Sequence, residues 1–177
     1  MPTSSMDARS YSVIETLRGG RRVQIRAQRP TDREAIADAL RRADPETIYR
    51  RFFGPRKGFT EKEVAFFLEI DFVNHVALVA EVEEAGRKAI AGGGRYIVTA
   101  PGEAEVAFAV GDAYQGQGIG GLVMRHLVTI ARAGGIRTFV AEVLAGNAPM
   151  LKVFKKSGLP LATRVETGIV HATLELS

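Results

Sequence analysis

A single carboxylate lies within an otherwise apolar segment near the middle of the chain. Residues 104–110 read Ala-Glu-Val-Ala-Phe-Ala-Val, a length and composition that predict a largely buried β-strand around Glu105. Alternation along such a strand puts Glu105 on one face with the small residues Ala107 and Ala109. That setting suits a general base, because partial loss of water raises the pKa of a carboxylate and the alanines leave room for a substrate. The alternative is a structural ion pair with an arginine on a neighbouring strand, such as Arg95.

A glycine-rich loop follows this strand and leads into an amphipathic helix. The loop consists of Gln115, Gly116, Gln117, Gly118, Ile119 and Gly120. Apolar residues then recur at helical spacing until a Gly-Gly pair stops the helix, and they are Ile119, Leu122, Val123, His126, Leu127, Ile130 and Ala131. Backbone N–H groups at a helix start, together with the helix dipole, favour a bound anion. The loop is therefore predicted to hold a phosphate or pyrophosphate group.

The order of the glycines excludes one phosphate-binding motif and leaves others open. A P-loop requires lysine and then serine or threonine after its last glycine, whereas Gly120 is followed by Gly-Leu. A dinucleotide-binding fingerprint fits the spacing of residues 116–121, but such fingerprints open a βαβ unit and this one lies late in the chain. The pattern Q-x-x-G-x-G fits with Gln115, Gly118 and Gly120. A glycine-rich connector without a ligand is the remaining alternative.

A second strand and helix follow the first pair. Residues 138–144 form another apolar run, and Asn147 is suited to cap the helix after it, with Pro149 tolerated in the first turn. In this order, the two motifs resemble those of the GNAT superfamily of N-acetyltransferases, whose acyl-CoA pyrophosphate loop has the form Q-x-x-G-x-G. Residues 23–32 resemble the opening strand and Arg-Pro-x-Asp helix start of that family, so the resemblance covers roughly residues 22–176.

The resemblance implies a fold, a cosubstrate and a set of binding residues. The fold is α/β (α+β), a GNAT-like mixed, mainly antiparallel sheet flanked by helices on both faces. The cosubstrate is acetyl-CoA, with no metal. Its pyrophosphate lies on the glycine-rich loop, and its pantetheine arm lies along the strand end, where a backbone N–H polarises the acyl carbonyl. The cofactor-binding residues implied in this way are Phe108, Ala109, Val110, Gln115, Gly116, Gln117, Gly118, Ile119, Gly120, Asn147 and Phe154.

Acetyl transfer to an amine requires the amine in its neutral form. A lysine-like amine with a pKa near 10.4 lies about 3.4 pH units above neutrality, and losing its proton at pH 7 costs about 4.6 kcal/mol. In the protein lysine acetyltransferases that residues 104–108 resemble, the strand glutamate is the base, which implies that role for Glu105. Many family members carry a tyrosine acid where this chain has Phe154, so the residue that protonates the CoA thiolate is not assigned.

Three hypotheses remain for the acceptor. Four segments resemble bacterial acetyltransferases that modify lysines of acyl-CoA synthetases: residues 49–53, 70–72, 104–108 and 140–147. A protein lysine is therefore the favoured acceptor. A small-molecule amine and a catalytically silent acyl-CoA-binding module are the alternatives. In the resembling subgroup a nucleotide-sensing or synthetase-like domain often precedes this one, and at 177 residues such regulation is expected to be absent or supplied by a partner.

Composition limits the remaining classes of function. The 177 residues fit one domain over 10–177, with residues 1–9 expected to be disordered. There is no cysteine, no signal-peptide pattern and no long apolar run, so the expected location is cytoplasmic, without a membrane partner. A net charge of +4 suits attraction to polyanionic acyl-CoA better than nucleic acid, because basic pairs alternate with acids and no stacking aromatics accompany them.

The order of predicted elements agrees with this interpretation. A β-hairpin spans residues 11–28, and helices are predicted at 31–43, at 45–53 and from Thr60. Strands are predicted at 75–82, 88–98, 161–165 and 169–176, in addition to the two strands of the motifs. The three scattered histidines do not form a metal site, and His126 is expected to be packed or hydrogen-bonded on its helix.

Overall fold

One twisted sheet organises the part of the chain that the computed structural model describes, which is residues 7–42, 65 and 68–177. The strands are β1 (Ser12–Thr16), β2 (Arg22–Ala27), β3 (His75–Glu84), β4 (Arg87–Ala100), β5 (Glu103–Val110), β6 (Thr138–Leu144), β7 (Leu161–Glu166) and β8 (Ile169–Glu175). Their order is β1-β2-β3-β4-β5-β6-β8-β7, in which only the β5–β6 pair is parallel. The helices are α1 (Arg33–Arg42), α2 (Ile119–Ala133) and α3 (Ala148–Lys156). The mixed, mainly antiparallel sheet predicted from the sequence is confirmed.

The predicted elements lie where the sequence places them over most of the described chain. The hairpin is the antiparallel pair β1–β2, and the two motif helices are α2 and α3. The helix predicted from Thr31 starts as a 3-10 turn over Pro30–Asp32 and becomes α-helical at Arg33. The helix predicted at 45–53, and most of the one predicted from Thr60, fall outside the described residues. Within the described chain, no helix has the length and apolar character needed to cross a bilayer.

Residues 7–9, which the sequence predicts to be disordered, take part in a hydrogen-bonded turn. Residues 1–6 lie outside the described chain, but Asp7 caps a 3-10 turn over Ala8–Ser10 by accepting a hydrogen bond from the Arg9 N–H at 3.0 Å. Ala8 is buried in the core, and the Arg9 guanidinium donates to the Asp71 carbonyl at 3.0 Å. A buried side chain and two hydrogen bonds therefore order residues whose small, polar composition predicts disorder.

Helix α2 packs closely on one face of the sheet because β4 carries glycine there. A Cβ at Gly94 would lie 2.6 Å from the Phe108 ring, 2.9 Å from Val123 and 3.0 Å from Leu127. Val123 and Leu127 belong to α2 and are fully buried. The missing side chain thus lets α2 and the Phe108 ring meet at the sheet surface, on the face opposite Glu105.

Adding one methyl group at this contact is expected to destabilise the protein. We predict that Gly94→Ala lowers the free energy of unfolding by about 1–3 kcal/mol, the usual cost of overpacking a core. The measurement is urea denaturation of the wild type and the Gly94→Ala variant. Gly19→Ala is the control, because a Cβ there meets nothing within 4 Å and its φ is not in the left-handed region. Equal midpoints for Gly94→Ala and Gly19→Ala would contradict the close packing.

The sheet face opposite α2 carries a buried polar network at the start of α1. The Arg26 guanidinium donates to both Asp32 oxygens at 2.8 and 2.7 Å and to Glu81 at 2.8 Å. Burial alone raises the pKa of Asp32, but the hydrogen bonds from Arg26 and from the Arg29 backbone outweigh it and hold that pKa below its usual value. Since Asp32 precedes α1 by one residue, the ion pair fixes where this helix leaves the sheet.

Candidate functional site

A cavity opens where β5 and β6 stop pairing. Their parallel register runs from Glu103–Thr138 to Glu105–Val140, although both strands continue beyond that point. A cavity of about 670 Å³ occupies the divergence, with walls from β5, β6, α3 and the loop before α2. Backbone groups on the cavity side of β5 are not used by β6 there, so an extended ligand with amide groups can pair with them. The opening suits a long, flexible arm lying along a strand.

The glycine-rich loop forms one end of this cavity and adopts a conformation that requires glycine. Gly116 and Gly118 have φ values of +77° and +89°. Gly118 is the N-cap of α2 without a side-chain cap, so first-turn N–H groups that have no partner within the helix remain for a ligand. The Gln115 amide donates to the Val110 carbonyl at 3.1 Å and to Asp112 at 3.3 Å, which ties the loop to the end of β5. This backbone geometry suits the anion site that the sequence predicts.

Ten of the eleven residues expected to bind the cofactor line this one cavity. They are Phe108, Ala109, Val110, Gln115, Gly116, Gly118, Ile119, Gly120, Asn147 and Phe154. Gln117 is the exception, because its side chain is exposed and its amide donates to the Ala113 carbonyl at 3.5 Å. The structure therefore brings together residues from two separate strand–helix units of the sequence, and it leaves Gln117 outside the lining.

Asn147 and Phe154 contribute to the cavity in different ways. The Asn147 side-chain oxygen accepts the Met150 N–H at 3.3 Å, so the predicted helix cap is confirmed. That bond uses the oxygen, and the amide N–H groups of Asn147 make no hydrogen bond within the described chain. Phe154 is 1% exposed and meets the Phe108 ring edge-on at a centroid distance of 6.2 Å. Phe154 thus belongs to the core beneath the cavity and carries no exchangeable proton.

Glu105 lies at the last paired position before the strands diverge. Its side chain is exposed, on the same face as Ala107 and Ala109, so the predicted alternation of the strand is confirmed. The burial expected around this carboxylate from the sequence is absent, because the neighbouring side chains on that face are small. Within the described chain Glu105 makes no hydrogen bond or ion pair. Its carboxylate is therefore accessible at the point where the gap begins.

The arginine suggested as a structural partner of Glu105 is engaged elsewhere. Arg95 faces the same side of the sheet, opposite Ala107 in the register, but its guanidinium donates to His75 at 3.0 Å and to Gln28 at 3.4 Å. Burial, together with the charge of Arg95, lowers the pKa of His75 to about 4. A neutral His75 whose Nε2 accepts from Arg95 is a poor base at neutral pH. On β5, Glu105 is the carboxylate that lies where the gap begins.

The cavity also contains residues that the sequence did not single out for it. Lys152 and Lys156 lie one helical turn apart on α3 and put two positive charges beside the loop. Their i, i+4 spacing in the sequence was the signal that could have placed both lysines on one face of the helix. On β6, Glu142 also lines the cavity. The other additional lining residues are Val106, Ala107, Tyr114, Gly121, Val143, Ala148, Pro149, Met150, Val153 and Ser157. Within the described chain, no three His, Cys, Asp or Glu residues are grouped to hold a metal.

The site combines a divergent pair of parallel strands, a glycine-rich loop at a helix start and a helix with two lysines at the cavity. These features suit an acyl-CoA binding site, and comparison with known proteins supports this class of protein. The model of the Acetyltransferase (GNAT) family matches residues 39–159. The chain therefore belongs to the GNAT acetyltransferase family. It is an acyltransferase that takes its acetyl group from acetyl-CoA.

Three similar proteins show how far the likeness extends. Acetyltransferase PA5475 of Pseudomonas aeruginosa is 35% identical over 138 residues, which are 77% of this chain and 74% of that protein. Acetyltransferase Pat of Mycolicibacterium smegmatis is 31% identical over 90% of this chain, which spans only 47% of Pat. The GNAT domain of S. lividans PAT is 34% identical, with a TM-score of 0.83 over 93% of this chain and 96% of that domain.

Proposed function

We propose that this acetyltransferase modifies a lysine side chain of a protein, with Glu105 as the general base. The observation that carries the proposal is the position of Glu105, an unpaired carboxylate on the open face of β5, at the point where the β5–β6 gap begins. The similarity to Pat and to the PAT domain supports a protein acceptor, because segments of the sequence already resemble bacterial protein lysine acetyltransferases.

The cavity suggests how acetyl-CoA is held. Its pyrophosphate lies against the N–H groups of the loop and the start of α2, where the helix dipole adds positive character. The pantetheine arm follows the unpaired edge of β5 from Val110 toward Val106 and accepts or donates hydrogen bonds along the backbone. The free amide N–H groups of Asn147 face the same arm. This direction delivers the thioester to the divergence point beside Glu105.

The reaction then needs one proton acceptor and one leaving group. The neutral amine nitrogen attacks the thioester carbonyl carbon, so that a C–N bond forms, and Glu105 takes the proton that the nitrogen releases. The C–S bond breaks and CoA leaves as a thiolate. A backbone N–H of residues 108–110 stabilises the oxyanion of the tetrahedral intermediate. Glu105 is exposed in the free protein, so the bound acyl arm and acceptor must exclude water from it.

Two lysines of α3 are expected to strengthen CoA binding. We predict that Lys152→Ala and Lys156→Ala each weaken CoA binding about two- to fivefold, the range expected for exposed charge pairs of up to about 1 kcal/mol. This loss of affinity should become smaller as salt is added, because salt screens the attraction between each lysine and the CoA phosphates. The measurement is titration calorimetry with CoA at low and high ionic strength.

Lys155 provides a matched control for this prediction. Lys155→Ala removes the same charge from the last turn of α3, yet Lys155 does not line the cavity. Its CoA affinity should stay close to that of the wild type. If all three variants lose affinity equally, net charge rather than contact explains the effect, and the assignment of Lys152 and Lys156 fails.

The proposed acceptor is tested by presenting two classes of amine separately. Wild type and Glu105→Gln are assayed with acetyl-CoA and either a purified acyl-CoA synthetase or a mixture of small amines. Acetyl-lysine on the synthetase, detected by mass spectrometry and lost in the variant, is the expected result. Turnover with small amines alone would replace the protein acceptor by a small molecule. Acetyl-CoA binding without turnover on either class would point to a regulatory acyl-CoA-binding module.

A further inference from the structure

A second carboxylate lies near Glu105, on the other side of the gap between β5 and β6. Val140 is aligned with Glu105 in the parallel register, and Glu142 lies two residues further along β6. Aligned residues of paired strands share a face and side chains repeat every second residue, so Glu142 lies on the same sheet face as Glu105 and Ala107. It lines the cavity, and its side chain is 54% exposed.

The two carboxylates are close enough to act on one ligand group. Two residues along a strand span about 6.6 Å and neighbouring strands lie about 4.8 Å apart, so the Cα atoms of Glu105 and Glu142 are separated by roughly 8 Å or somewhat more where the strands diverge. Both side chains can therefore reach an amine placed above the gap. An acceptor amine bound beside Glu105 on this face therefore lies within reach of Glu142.

The environment of Glu142 leaves its negative charge available. His171 on β8 lies opposite it in the register, with Nδ1 3.6 Å from Oε1 of Glu142. Arg164 on β7 is paired with His171 and is the next residue across the sheet, but its guanidinium binds Glu166 at 3.0 Å. Within the described chain, no lysine or arginine forms an ion pair with Glu142. The imidazole thus lies beside the carboxylate, and the guanidinium next to it is engaged by Glu166.

We propose that Glu142 binds the ammonium group of the incoming acceptor and so selects amines that are cationic in solution. This inference rests on the proposed acetyl transfer to an amine. Glu142 attracts the charged amine to the gap, where the amine loses one proton to solvent. Glu105 on the other side of the gap then takes the second proton as the C–N bond forms. The substrate class is an alkyl ammonium, such as a lysine side chain, and the role of Glu142 is binding and specificity rather than proton transfer.

The test compares two nucleophiles that differ in charge. One is a peptide with blocked termini and a single lysine, which is cationic at pH 7, and the other is hydroxylamine, which is neutral there. For Glu142→Gln we expect the KM of the peptide to rise about 10-fold, equivalent to about 1.4 kcal/mol, with kcat changed less than KM. Turnover of hydroxylamine, corrected for the uncatalysed reaction, should change by less than about twofold, well under that tenfold step.

A matched variant and a binding measurement make each outcome decisive. Glu175→Gln removes one negative charge from the same sheet face without touching the cavity or any ion pair of the described chain, and it should leave the peptide KM unchanged. Retained acetyl-CoA binding by Glu142→Gln shows that the fold is intact. Equal losses with peptide and hydroxylamine, or an unchanged peptide KM, would overturn the inference while leaving acetyl transfer in place. A wild type that binds acetyl-CoA but acetylates neither nucleophile would instead overturn the proposed function.

Discussion

Glu105→Gln is expected to lower kcat by a factor on the order of 10² to 10⁴, the usual range for loss of a general base. Glutamine keeps the size and position of the side chain but cannot accept the amine proton. The thermodynamic demand is large, because deprotonating a lysine at pH 7 costs about 4.6 kcal/mol. Acetyl-CoA affinity should stay nearly unchanged, since Glu105 is not among the residues that line the cavity. The measurement is single-turnover acetylation with saturating acetyl-CoA, together with calorimetric binding of CoA.

Glu103→Gln is the matched control for this result. Glu103 lies on the same strand and face, two residues from Glu105, and its carboxylate accepts the Thr99 hydroxyl at 2.9 Å. Its replacement changes net charge equally but removes no group at the gap, so kcat should stay within about twofold, far from the range for a lost base. A loss of about fivefold or less for Glu105→Gln would remove Glu105 from the mechanism.

Gly118→Val is expected to abolish measurable CoA binding, a loss of more than about 100-fold in affinity. The reason is conformational, because a Cβ at Gly118 meets nothing within 4 Å, whereas its φ of +89° is strongly disfavoured for a β-branched residue. Relaxing that φ turns the first N–H groups of α2 away from the pyrophosphate. Losing two hydrogen bonds to a charged group, at about 1.5–3 kcal/mol each, accounts for a factor of that size. Calorimetry with CoA measures it.

Gly168→Val separates this loss of binding from general backbone strain. Gly168 has a φ of +77° in the turn between β7 and β8, a Cβ there would also meet nothing within 4 Å, and the residue does not line the cavity. The same strain is thus introduced away from the site, and CoA binding should survive. Tight CoA binding by Gly118→Val would refute the loop assignment.

Gly120→Val should also abolish CoA binding, but through contact rather than φ. A Cβ at Gly120 would approach the Val153 side chain to 3.2 Å and Val110 to 3.7 Å. Valine there pushes α3 away from α2 and closes the end of the cavity. The two substitutions therefore act on one site by different physical routes, which the sequence pattern Q-x-x-G-x-G does not distinguish.

Local patterns determined much of this protein without its tertiary structure. Helical periodicity and a Gly-Gly stop predict α2, the alternation in residues 104–110 predicts β5, and Asn147 predicts the start of α3. Each of these signals depends only on residues close by in the sequence. Steric limits on φ and hydrogen bonds at the helix ends act over a few residues. That is why the loop, its proposed anion site and the lone carboxylate could be predicted from residue types and spacing alone.

Only the tertiary structure decided how these parts form one site. The end of the β5–β6 ladder after Glu105, the engagement of Arg95 by His75 and the exposure of Glu105 all depend on contacts between distant segments. Glu142 is an ordinary strand residue in the sequence, 37 positions after Glu105, and it becomes its neighbour because parallel pairing sets the register. Register and strand divergence are set by packing across the whole sheet, so no local pattern encodes which charges meet at the gap.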